Sequence, residues 1–287
     1  MLLMNAIQSF IQYLSSIDRS QETITGYRKD LVSFTRFLET KYNCETYLDE
    51  ITANDIEDYL TYLKEKRKYA PASRGRNLHT LRSFFTYAYN KELVERNIAL
   101  SVEKIKVQQK ERTYLTEEEV ELLIKEIDHN LIRLVVTVLY MTGMRISECL
   151  NLTIDNVDIK KRVIHVVAGK GNKDRLIPIS KRLVPLLEDY IRFQRPDTDS
   201  QRFFCTKKTG MLSPVYVNRV INEAVDKLGW KKKVTAHILR HSFASRLVKN
   251  DVNLVQIQKL LGHSSLNVTS IYTHTDMDQL NEAIDTL

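Results

Sequence analysis

Two neighbouring stretches decide the fold: LIRLVVTVLYMTG at residues 131–143 and VIHVVAGKGNKDRLIPIS at residues 163–180. The first is apolar on most faces of a helix, so it belongs in a core, and Gly143 is where such a helix should stop. The second divides into two short β segments, VIHVVA and RLIPIS, around the polar, glycine-containing GKGNKD, which is the pattern of a hairpin. Helical sequence resumes from Pro214 onward. A buried helix, a hairpin and further helices make this half of the chain a mixed α+β domain with a small antiparallel sheet.

Toward the N-terminus the pattern is different. From residue 5 to about residue 100 the chain reads as helix after helix, with stripes at Ala6, Phe10 and Leu14, at Tyr27, Leu31, Phe34 and Leu38, and at Leu78, Leu81, Phe85 and Tyr89. Residues 103–114, EKIKVQQKERTY, lose this periodicity and gain charge, as an exposed connector does. A new helix then opens cleanly, because Thr116 and Glu119 can form a capping box with acids at the positive end of the helix dipole. The expected organisation is multidomain and mainly α: an all-α domain over 1–102, a linker over 103–114 and the α+β domain over 115–287. At 287 residues the chain is long enough for two cores.

The net charge of +7 is unevenly placed. Seven Lys or Arg lie between Lys64 and Arg82 against one acid, Glu65, and seven more lie between Lys227 and Lys249 with no acid after Asp226. Either run alone is equally a solvated face; two runs in separate halves favour a clamp on an anionic partner such as DNA. Cys44, Cys149 and Cys205 have neither CxxC spacing nor an even count, so no disulfide framework or zinc site is expected; they read as buried thiols in a reducing compartment. The start, MLLMNAIQSF, lacks a positively charged n-region, and no window approaches 18 apolar residues. A cytoplasmic protein with no membrane partner is the expectation.

Five places in the second half set polar residues among apolar ones: TGMRISECLNL around Arg145, AGKGNKDRL around Lys170, HILRH at 237–241, LGHSS at 261–265 and VTSIYTH at 268–274. On a helix His237 and Arg240 share a face one turn apart and can converge on one ligand, with Thr235 as N-cap; a basic surface helix touching backbone phosphates reads equally well. Arg145 follows a glycine-terminated helix at the edge of a core, where an ion pair, here with Glu148, is the ordinary use of an arginine. Lys170 sits between two glycines at a hairpin tip, where a solvated lysine is the ordinary case, and no Ser or Thr follows it to make a phosphate-cradling loop. Gly262 should stop a helix before His263, and Ser264 and Ser265 can cap a short new one holding Tyr272. Without that break, nine residues would put His263 and Tyr272 on opposite faces.

Taken in order, Arg145, Lys170, His237, Arg240, His263 and Tyr272 in these motifs resemble the signature of the tyrosine recombinase (phage integrase) family. The likeness runs over about residues 113 to 275, and six motifs in register are specific where one is not. TITGYRKDLVSFTRFL and SRGRNLHTLRSFFTYA in the first half are similar, more loosely, to the family's SAM-like core-binding domain in Xer-type members. The resemblance implies site-specific recombination of double-stranded DNA at paired sites, in integration, dimer resolution or transposon cointegrate resolution. It further implies a C-shaped clamp, a homotetramer working through a Holliday junction, possible accessory proteins, and no cofactor. Ser73, Arg74, Arg76, Asn77 and Arg82 are then candidate DNA contacts, each equally readable as part of a solvated helix face.

The chemistry suits those residue types. Attack on a phosphodiester gathers charge on the nonbridging oxygens, and the guanidiniums of Arg145 and Arg240 are always charged and can fork onto two oxygens, with His263 a further donor. A phenol of pKa near 10 is only about 0.1% ionised at pH 7, a deficit of roughly 4 kcal/mol that neighbours must offset. The resemblance implies that His237 accepts the Tyr272 proton and that Lys170 protonates the departing 5′ oxygen, leaving a 3′-phosphotyrosine. Glu148 would support Arg145 from behind. The acids of the second half are scattered, which weakens a two-metal nuclease reading. Met277, Leu280, Ile284 and Leu287 form a last helical stripe, which either packs on its own domain or, as the resemblance implies, on a neighbouring protomer. The rivals are a type IB topoisomerase acting as a monomer and a noncatalytic DNA-binding regulator.

Overall fold

The computed structural model describes residues 1–108, 113–167 and 174–262. The chain divides into two compact units, Met1–Lys110 and Glu111–Leu287. In the first, one helix is set by its apolar stripe and three by signals at their ends. α1 (Leu3–Ser16) buries Leu3, Ala6, Ile7, Phe10, Ile11 and Leu14, a stripe at three- and four-residue spacing. α2 (Gln21–Tyr42) starts where the Ser20 hydroxyl accepts the Thr23 N–H and ends at Asn43 in the left-handed region. α3 (Ala53–Glu65) starts at a capping box of Thr52 and Asp55, and α4 (Pro71–Asn90) starts on a proline.

These helices meet in an aromatic core in which Phe10 lies edge-on to Phe84 at 5.6 Å and stacked on Tyr27 at 6.0 Å, while Tyr59 meets Phe34 at 5.1 Å. Tyr89, expected on the buried stripe of α4, is instead exposed, because the helix ends one residue later and the core has already closed over Phe85 and Ala88. Cys44 is exposed as well, in the turn after α2, whereas Cys149 and Cys205 are buried as expected. Burial pushes the Cys149 thiol up.

The second unit is built around α6 (Asn130–Thr142), whose Ile132, Val135, Val136, Val138 and Leu139 are buried and whose C-cap is Gly143 at φ +64°. α5 (Glu117–Glu126) precedes it behind the Thr116–Glu119 capping box, and α7 (Ile146–Asn151) follows at once. Among the described residues the sheet has three antiparallel strands in the order β1 (Val157–Asp158), β2 (Val163–Val166), β3 (Arg175–Pro178). The hairpin of β2 and β3 matches the sequence expectation; β1 does not, since two residues are too few to show a period. α8 (Val184–Asp189) runs into a π-helical turn over Tyr190–Gln194, and α9 (Pro214–Lys227), α10 (Ala236–Lys249) and α11 (Leu254–Leu261) follow. Thus the fold is mostly helical with one small antiparallel sheet. No described helix is long and apolar enough to cross a membrane.

The register of the hairpin decides which way Arg175 points. Ile164 faces Ile177 and Val166 faces Arg175, and Ile164, Val166 and Ile177 are all buried. Residues opposite one another share a face, so Arg175 lies on the apolar side of the hairpin while Leu176 points outward and is exposed.

Candidate active site

The site starts from the turn at Gly143. Its left-handed backbone suits glycine, and a Cβ there would run into the Phe243 ring and lie 2.8 Å from Leu261 Cδ2. The close approach lets α6 end against α10 and α11. Two residues on, Arg145 occupies the N-cap of α7, and its backbone N–H donates to Glu148 Oε2 at 2.7 Å.

Arg240, buried on α10, spans two helix ends. Its Nη1 donates to the Gly143 carbonyl at 2.7 Å and its Nη2 to the Leu261 carbonyl at 2.6 Å. Those are carbonyls left over at the C-termini of α6 and α11, where a cation also meets the negative end of each helix dipole. Arg240, far from Arg145 in sequence, is thereby tied to the turn two residues before it. Gly262, φ +64°, closes α11.

Glu148 is the hub. Its carboxylate is 6% exposed, and both oxygens are shared by two arginines: Oε1 accepts from Arg145 Nη1 at 2.7 Å and Arg175 Nη1 at 3.0 Å, and Oε2 accepts from the Arg145 backbone and from Arg175 Nη2 at 2.8 Å. Burial alone would push this carboxyl up. The Arg175 fork, the Arg145 backbone N–H and the two positive charges outweigh burial and hold it at about 2. Arg175 also donates through Nε to the Leu260 carbonyl at 3.0 Å.

The other predicted residues fall in several places. His237 is exposed on α10, with its ring centroid 4.4 Å from that of the buried His241 at an interplanar angle of 76°. Thr235 is the N-cap of α10 by position, but its side chain makes no cap; the Ala236 N–H donates to Asn218 Oδ1 at 2.9 Å instead. Lys170, His263, Tyr272 and the stripe from Met277 to Leu287 lie outside the described residues.

In the first unit the five candidate contacts divide. Asn77 is buried, donating to the Ser73 carbonyl and accepting from the Tyr59 hydroxyl, so its amide serves the core. Arg82 donates to the carbonyls of Ala99 and Val102, tying α4 to the short helix at Ile98–Leu100. Arg76 forks onto Asp30, which is buried and also accepts from Thr80. Ser73 and Arg74 sit half-buried on the first turn of the helix, and Arg74 Nε is buried with no hydrogen-bond partner among the described residues.

The second basic run is less free than its sequence suggests. Lys227 pairs with Asp128 at 2.6 Å, Lys232 with Glu119 and Arg246 with Glu117 at 2.5 Å, so the acids flanking and opening α5 neutralise much of it. Lys231 and Lys233 make no ion pair among the described residues. Sequence reasoning missed Arg175. A signal was present in RLIPIS, because Ile177 and Ile179 fix the inward frame and put Arg175 in it, but the apolar Leu176 argues locally for the opposite frame.

Family models match both units of the chain. Residues 113–279 match the model of the phage integrase family, and residues 7–92 match that of the phage integrase N-terminal SAM-like domain. Tyrosine recombinase XerA of Pyrococcus furiosus is 36% identical over 97% of this chain and 92% of its own length. The crystal structure of the XerH site-specific recombinase bound to its difH substrate, a pre-cleavage complex, is similar at a TM-score of 0.71 and 26% identity, over 91% of this chain and 78% of that one. The Tn1549 transposon integrase in complex with circular intermediate DNA shares the fold at a TM-score of 0.81 and 19% identity, over 100% and 99% of the two chains.

Proposed function

The chain belongs to the phage integrase family of tyrosine recombinases, and from that premise we propose that it breaks and rejoins double-stranded DNA at specific sites with Tyr272 as nucleophile and the Gly143 turn as the scaffold of its phosphate site. One observation carries the reading: Arg240 grips the carbonyl two residues before Arg145, which ties one permanent cation to the turn that carries the other, and permanent cations are what charge building on a phosphate requires.

In the proposed reaction the Tyr272 oxygen bonds to the scissile phosphorus as the bond from phosphorus to the 5′ oxygen breaks. The phenolic proton passes to His237, exposed on α10, and the departing oxygen takes a proton from Lys170. A 3′-phosphotyrosine and a 5′-hydroxyl result. One phosphodiester has replaced another, so the same groups reseal the strand by the reverse path without a nucleotide cofactor. Arg145, Arg240 and His263 hold the nonbridging oxygens, and Glu148 keeps Arg145 oriented. No three His, Cys, Asp or Glu side chains cluster among the described residues, and we assign no metal ligands.

The partners come from the same reading: a cytoplasmic protein acting on paired DNA sites as a homotetramer, exchanging strands through a Holliday junction with the C-terminal stripe passed between protomers, with accessory proteins where the sites demand them. In the first unit Ser73 and Arg74 on the opening turn of α4 are the better DNA contacts, since Asn77 and Arg82 serve the fold and Arg76 is shared with Asp30. As a test, sites are mapped by trapping protein on the DNA of the chain's own host element, and a nicked suicide substrate is built from them. Tyr272→Phe should bind it as wild type does and form no covalent adduct. An adduct formed by that variant moves the nucleophile elsewhere, and cleavage with no attached protein ends the reading.

A further inference from the structure

The carboxylate of Glu148 is shared by two guanidiniums, and the two are not equivalent. Arg175 is 9% exposed, enters from the inward side of β3, and uses Nη1 and Nη2 on the carboxylate and Nε on Leu260. Arg145 is 26% exposed and gives the carboxylate only Nη1 and its backbone N–H; its Nε and Nη2 have no partner among the described residues.

Two guanidiniums against one carboxylate leave one positive charge in excess. Because Arg175 is enclosed and Arg145 opens outward, that excess is expressed at Arg145. Were Arg175 absent, Glu148 would form a closed pair with Arg145 alone, and the field that Arg145 offers an anion would largely cancel. The carboxylate would also lose the fork that fixes its plane, and with it the direction of Arg145.

We propose that Arg175 is a positioning residue of the recombination site: it neutralises Glu148 from behind, so that Arg145 is held by that carboxylate without being neutralised by it. The proposal rests on the reading of Arg145 as a phosphate-binding group. Through its bond to Leu260, Arg175 also fixes the last turn of α11 beside Arg240, whose Nη2 holds Leu261. Gly262 accommodates this crossing, since a Cβ there would lie 3.0 Å from Arg175 Cδ and 3.1 Å from its Nη1.

The test compares a suicide substrate bearing the ordinary scissile phosphate with one bearing a methylphosphonate, whose phosphorus group carries no charge to be neutralised. Arg175→Ala should bind the site with little change and cleave the ordinary phosphate about 100-fold more slowly, as a misplaced catalytic group does. On the methylphosphonate that deficit should shrink to a few-fold. Arg175→Lys, which keeps the charge but not the fork, should fall between, and it carries the test if the alanine variant does not fold. A merely structural role would give the same deficit on both substrates, and that result, or wild-type cleavage by both variants, overturns the proposal. If Arg145→Ala itself cleaves the ordinary phosphate normally, the reading of the site fails instead.

Discussion

Each unit of the chain buries a carboxylate held at about 2, and the two are wired with opposite sign. In the first, Asp55 accepts from Lys41 at 2.7 Å, from the Tyr42 hydroxyl and from Thr52, while Lys41 also bonds Asp58. One ammonium thus serves two acids, and a negative charge is left over. In the second, Glu148 serves two guanidiniums, and a positive charge is left over. Both groups close a helix start, Asp55 for α3 and Glu148 for α7. The same local device therefore leaves an acid in excess in one place and a base in excess in the other, and the number of partners of each sign decides which.

The largest effect that would break this comparison is on stability. Glu148→Ala strands the enclosed Arg175 and frees the more open Arg145, and should cost about 3–5 kcal/mol. Trp230, the one tryptophan in the sequence, packs on the core of the second unit, so its fluorescence in a urea titration of the full chain reports that unit directly. A loss near zero would mean that water replaces the carboxylate and that the hub is loose.

Asp55→Ala should do less, about 1–2 kcal/mol, the scale of a lost cap, because Lys41 is partly exposed and keeps Asp58. Hydrogen exchange of α3 amides in the full chain measures it. A loss as large as that of Glu148→Ala would erase the contrast between the two networks.

The smallest effect sharpens the comparison by pH. Against ordinary values of 4.5 and 3.8, Glu148 and Asp55 are both depressed when folded: burial opposes ionisation, and the Arg175 and Lys41 hydrogen bonds lead the groups that overcome it. Their contribution is complete above about pH 4.5 and is lost as pH falls toward 2. The Trp230-detected urea midpoint should therefore decline over that window. Glu148→Gln should flatten the decline in the second unit while leaving that of α3 in place; an unchanged slope would show that other acids govern it.

What was legible in the sequence was what neighbouring residues decide. The Thr116–Glu119 box, the stops at Gly143 and Gly262, and the pairing of the segments on either side of GKGNKD are written within a few residues and appear as read. What was hidden depends on distant partners. Arg175 reaches Glu148 and Leu260 across the fold, Lys227 finds Asp128, and Arg82 finds Ala99 and Val102; none of these pairings leaves a periodic trace. Thr235 failed as a cap for the same reason, since Asn218 on α9 supplies the oxygen. The arginine face of the site was half visible: Arg145 and Arg240 stand out as cations in apolar sequence, but the arginine behind them is disguised by an exposed leucine.

The grip of Arg240 on the ends of α6 and α11 has a mechanical consequence. The last turn of α11 cannot slide or unwind without taking the Leu261 acceptor from an enclosed guanidinium that also holds the end of α6, so this helix acts as a fixed post. Leu260 is held in the same way by Arg175 Nε, so two arginines from different elements moor the end of one short helix.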